Sequence, residues 1–114
     1  MLITIKMKNE IKMLIKSISL RDTICLMISD DWQVRLVAEY LQARKRMLLI
    51  DVATEEFIND PRYEELVHQA YSMRPYIFQL EARINKYELN VIDIYNREHK
   101  ANERKLEKLL RGIK

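Results

Sequence analysis

One glycine and two prolines in 114 residues leave almost no material for tight turns. Average usage is about 7% and 5%, and strand hairpins draw on both residues at their turns, so a mainly helical chain is expected. The single Gly112 lies two residues from the end, so no glycine loop can cradle a phosphate, and P-loop and dinucleotide-binding folds are excluded. Cys25 is alone and cannot form an internal disulfide, which fits a reducing compartment. Set among Ile24, Leu26 and Met27, it reads as a buried small hydrophobe. Long apolar runs are missing too. The opening MLITIKMKNEIKMLIK interleaves Lys6, Lys8, Lys12 and Lys16 with its apolar positions, too often for a signal peptide or a membrane span. Met7, Ile11, Leu14, Ile15 and Ile18 share one helical face, for which core packing is favoured over lying on a membrane surface. The chain is expected in the cytoplasm, that of the host cell if it is viral, with no membrane contact.

What is present is about half apolar, enough for one modest core, and a single helical domain over residues 1–114 is expected. The net charge of +3 is too small to imply nucleic acid by itself. Its distribution is uneven. Residues 1–50 hold nine basic and five acidic side chains, residues 51–68 one and six, and residues 69–114 ten and six. Two basic segments thus flank an acidic connector, and nucleic acid is not an expected partner.

The spacing predicts a first helix from about Lys6 to Ile18. Ser19 with Asp22 forms a capping box that starts a short second helix through about Ile28. Ser29, Asp30 and Asp31 supply a cap and two carboxylates for a third helix, the first arm of a hairpin, over residues 29–50. DVATEEFINDP is read as the connector, over residues 51–60, with Asp60 capping and Pro61 taking the first helical position of the second arm. From Leu66, the positions Ala70, Met73, Ile77, Leu80, Ile84, Tyr87, Val91 and Ile94 recur at steps of 4 and 3, a coiled-coil-like seam. The second arm is therefore expected as one long helix and tail over residues 61–114, kinked near Pro75. After Ile94 the spacing slips by one, through Tyr95, His99, Asn102, Leu106, Leu109 and Ile113. The predicted fold is all-α: an antiparallel helical hairpin with short N-terminal helices and a long C-terminal helix. Because that helix would outrun its partner, a homo-oligomer is expected.

Catalytic chemistry finds little to stand on. Glu65 and His68 form an E-x-x-H pair, but carboxylate-bridged metal bundles need the motif twice with two further carboxylates. Cys25 has no local histidine, and Ser17, Ser19, Ser29 and Ser72 sit where caps or packing explain them. No enzyme, metal or cofactor is expected. The informative feature is the polar stripe on DWQVRLVAEYLQARKR, where Arg35, Glu39, Gln42 and Arg46 repeat at spacings of 4, 3 and 4 beside the apolar stripe. A solvated face stabilised by i,i+4 pairs explains it. So does a binding site, in which Arg35, Gln42, Arg46 and the neighbouring Arg44 and Lys45 offer forks and donors for phosphate or carboxylate, Glu39 completes the stripe, and Tyr40 either stacks on a base or belongs to the core.

The run SDDWQVRLVAEYLQARKRM, preceded by KMLIKSISLRDTICLMI and followed by PRYEELVHQAYSMRPYIFQLEARI, resembles a family of small helical-hairpin proteins of tailed phages and prophages, including crAss-like phages. The pattern falls on Arg35, Ala38, Glu39, Tyr40, Gln42 and Arg46 in the first arm, and on Met73, Tyr76, Leu80, Glu81 and Arg83 in the second. It covers roughly Lys12 to Asn90; Pro75 and the long tail depart from it. The resemblance implies a non-enzymatic phage accessory protein. By architecture alone it is similar to phage hairpins that sequester the cyclic-nucleotide signals of CBASS and Thoeris defences, which implies counter-defence through a small anionic ligand held in an oligomer. The alternative is an oligomeric interaction module that binds a host or phage protein.

Overall fold

The computed structural model describes residues 5–112, which form five helices and no strand. They are α1 (Ile5–Ser17), α2 (Leu20–Met27), α3 (Trp32–Glu56), α4 (Tyr63–Lys86) and α5 (Val91–Gly112). Ile113, placed in the seam by its spacing, lies outside the described residues. Two of the three expected caps are made. Ser19 Oγ accepts from the Asp22 amide at 3.1 Å while Asp22 Oδ2 accepts from the Ser19 amide at 3.2 Å. Asp31 Oδ1 accepts from the Gln33 amide at 2.8 Å, starting α3.

α3 and α4 form the hairpin, and α3 is the hub: it packs against α1, α2, α4 and α5. Its buried side chains Val34, Val37, Ala38, Tyr40 and Leu41 are at most 1% exposed. α1 contributes Ile11 and Ile15, followed by Ile18, and α4 contributes Ile77, Leu80 and Ile84. The apolar face of α1 is thus spent on the core. No helix among the described residues is long and apolar enough to cross a membrane.

Several expectations are corrected. The first arm does not stop near Ile50 but continues to Glu56, because DVATEE contains no helix breaker and Thr54 Oγ1 settles on the Ile50 carbonyl at 2.7 Å. The connector shrinks to residues 57–62. Asp60 caps nothing helical: its carboxylate accepts from the Arg62 amide and guanidinium at 2.8–3.2 Å, and α4 starts at Tyr63 without a side-chain cap. The guanidinium of Arg62 accordingly holds the Asp60 carboxyl below its usual pKa. Pro75, by contrast, lies inside α4, which runs on through it as expected. Cys25 is exposed, on the outer side of α2 with Ile24, while Thr23 and Leu26 turn inward.

The largest correction is at residues 87–90, where the supposed single long arm breaks. α4 ends in a Schellman motif: Leu89 N–H donates to the Ile84 carbonyl at 3.0 Å and Glu88 N–H to the Asn85 carbonyl at 3.2 Å. Leu89 and Ile84 are both buried, the hydrophobic contact that accompanies the motif. Asn90 Oδ1 then accepts from the Asp93 amide at 3.1 Å and opens α5. The arms come out at 25 and 24 residues, so the second does not outrun the first. The edge-on contact of Trp32 with Tyr87, 4.8 Å between centroids, marks their shared end. α5 turns back to bury Val91, Ile94 and Tyr95 against α1 and α3. Past Tyr95 none of its described residues is buried, and Leu106, Leu109 and Leu110 are exposed.

Glu88 occupies the left-handed region, φ 53°, in a position that favours glycine. Glu88→Gly is expected to raise stability by up to about 1 kcal/mol. Glu88→Val, β-branched and strained there, should lower it by about 1–2 kcal/mol. Urea unfolding of the pair would show this; equal midpoints would mean that α4 does not end in this motif.

Candidate functional site

The stripe residues share one face of α3, and three of the four, Glu39, Gln42 and Arg46, line one groove, while Arg35 does not. Arg35 lies at the start of the helix, where Nη1 donates to the Ser29 carbonyl at 2.8 Å and ties down the α2–α3 turn. Glu39 faces α4 and accepts from the Tyr76 hydroxyl. Gln42 and Arg46 line a groove of about 450 Å³ with Glu39, Met73 and Tyr76. Tyr40 is core: at 1% exposure its ring is closed to any base, which settles the choice between stacking and packing. Its hydroxyl donates to Glu81 Oε1 at 2.9 Å and accepts from Arg44 Nη1 at 2.8 Å, while the Arg44 and Glu81 charges stand 3.7 Å apart. Arg44 and Glu81 line a second groove, of about 480 Å³, between α1, α3 and α4.

Neighbouring residues on α3 therefore clamp α4 from its two sides, Glu39 through Tyr76 and Tyr40 through Glu81. Burial is the main cause that pushes the Tyr40 hydroxyl up to about 12, with Arg44 opposing and Glu81 reinforcing. The Tyr76 hydroxyl is also pushed up to about 12, by desolvation and then by its bond to Glu39. Both phenols stay protonated as donors at neutral pH. Tyr76 and Glu81 belong to the second-arm pattern of the resemblance, but only the packed hairpin pairs them with Glu39 and Tyr40. Several of the polar positions that carry the resemblance thus hold the arms in register.

Lys45, beside the stripe, fastens α1: its Nζ donates to the carbonyls of Ile15 and Lys16 at 2.9 and 3.2 Å, closing the negative end of that helix. Among the described residues no group of three or more His, Cys, Asp or Glu side chains could hold a metal ion. Glu65 and His68 are both exposed.

No family model matches the chain, and neither the curated proteins nor the solved structures include a match. The resemblance to phage hairpin proteins stands on the quoted residues alone.

Proposed function

We propose that this chain is a non-enzymatic helical interaction module that assembles with a second copy through the free end of its α3/α4 hairpin and presents the paired hairpins to a protein partner. One observation carries the reading: no residue from Arg44 to Tyr76 is buried. Core burial stops at Ala43 on α3 and resumes at Ile77 on α4. Between them Ile50, Leu66, Val67 and Ala70 are only half covered, and Leu49, Val52, Ile58 and Tyr71 are 46–62% exposed. Two helices alone cannot sheathe one another's apolar faces, and an exposed set of this kind marks an interaction surface. The expected oligomer thus moves from the tail seam to the hairpin end.

The narrower reading, a phage counter-defence protein that sequesters an anionic signal such as a cyclic nucleotide, asks for Arg35, Tyr40, Gln42 and Arg46 in one site. They lie in three places, so it has less support than assembly.

At micromolar concentration the chain is expected to sediment as a dimer or larger. Val52→Glu with Ile58→Glu, two exposed positions, should return it to monomer with unchanged helicity. A wild-type chain that sediments only as a 13.8 kDa monomer, or a double variant that assembles normally, counts against the reading.

A further inference from the structure

The groove between α1, α3 and α4 does not enter the assembly argument, and its lining has a marked polarity. Its floor is apolar, with Ile15 and Ile77 buried and Met47 and Leu48 half buried. Phe78, 66% exposed, stands on its wall. Four cations line it, Lys12, Lys16, Arg44 and Arg74, against two carboxylates, Asp51 and Glu81. Glu81 is already committed to Tyr40 and Arg44. Among the described residues Lys12, Lys16 and Arg74 have no carboxylate partner; Arg74 only lies over the Tyr71 ring, 5.0 Å from its centroid. The lining therefore carries an excess of two positive charges over an apolar floor. Its volume of about 480 Å³ falls in the range of small-ligand pockets, roughly 300–1,000 Å³.

We infer that this groove binds an amphiphilic anion: a carboxylate or phosphate head held by Lys12, Lys16 and Arg74, with an alkyl or ring portion laid over Ile77, Met47 and Phe78. A fully hydrophilic anion would leave the apolar floor wet, and a neutral apolar molecule would leave three cations unanswered. The two-part lining selects for both features in one ligand. The site is distinct from the exposed apolar set of the hairpin end, since Leu49, Val52, Ile58 and Tyr71 do not line it.

Calorimetric titration with decanoate, below its micelle concentration, tests this on the full chain. Saturable binding is expected, tightening from octanoate to decanoate by about fourfold per methylene buried. Inorganic phosphate and decanol, each with half the required chemistry, should bind at least about tenfold more weakly. Lys12→Gln, Lys16→Gln and Arg74→Gln together should lower decanoate affinity by at least about tenfold. All three are exposed, so helicity and melting temperature should hold. Arg46→Gln, in the other groove, should change nothing. No saturable decanoate binding, equal binding of decanol, full affinity in the triple variant, or equal loss in Arg46→Gln would each overturn the assignment.

Discussion

Leu80→Asp is expected to leave no cooperatively folded protein. Leu80 is 3% exposed at the centre of the α4 contribution to the core, between Ile77 and Ile84. Truncating such a leucine to alanine costs about 2–5 kcal/mol through lost burial and the cavity left behind. A carboxylate at the same place adds the cost of a buried charge with no partner, several kcal/mol more unless it takes up a proton. A domain of this size is stable by only about 5–15 kcal/mol. Circular dichroism through a thermal melt decides it: loss of the cooperative transition is the expected result. A melt within a few degrees of wild type would mean that Leu80 faces solvent. Half of the second arm would then have to be turned over, since Ile77 and Ile84 share its face.

Alkaline pH should weaken the fold through Tyr40. Its hydroxyl is held up to about 12 in the folded chain, chiefly by burial, against the ordinary 10.0. Below pH 10 the phenol is protonated in both states and the stability tied to it is complete. As pH rises from 10 towards 12 the unfolded chain ionises first, and the stability is lost. At about 1.4 kcal/mol per pH unit, the loss reaches about 2–3 kcal/mol by pH 12. Tyr76 and Tyr95 are shifted in the same direction, so other groups share the decline. Tyr40→Phe separates them. That variant should be about 1–2 kcal/mol less stable at neutral pH, because Glu81 and Arg44 lose their shared partner. Its stability should then fall less steeply above pH 10. Urea midpoints measured across the alkaline range for both proteins supply the comparison, and parallel curves would place the Tyr40 hydroxyl in water.

Much of the architecture was open to reading from the residues because local chemistry and tertiary packing agree there. Ser19 with Asp22, and Asp31 before Trp32, are capped starts in the sequence and in the fold. The seam residues Ile77, Leu80 and Ile84 are core, as their spacing implies. The break at residues 87–90 escaped because Tyr87, Val91 and Ile94 continue the 4 and 3 spacing across it. A sign was present in Asn90 with Asp93 three residues on, an N-cap ahead of an apolar pair. No glycine announces the turn, since Glu88 takes the left-handed position itself. The surroundings of the stripe were not legible for another reason. Spacing assigns Arg35, Glu39, Gln42 and Arg46 to one face of α3, but what each side chain meets depends on a neighbouring helix. The α2–α3 turn claims Arg35, and α4 lies against the middle of the stripe and claims Glu39.

The hub position of α3 also bears on how the chain folds. α2 and α4, its neighbours in sequence, both pack directly on it, and these contacts can spread from the short turns that join the helices. The contact between α1 and α5, in contrast, joins the first and last helices and closes a loop of most of the chain. Loop-closure entropy makes that contact the expensive one to form early. The α2–α3–α4 unit is thus the natural nucleus, and docking of α1 and α5 is the late step. The same order run backwards makes the two end helices the first to open, and their amides the first to exchange with solvent.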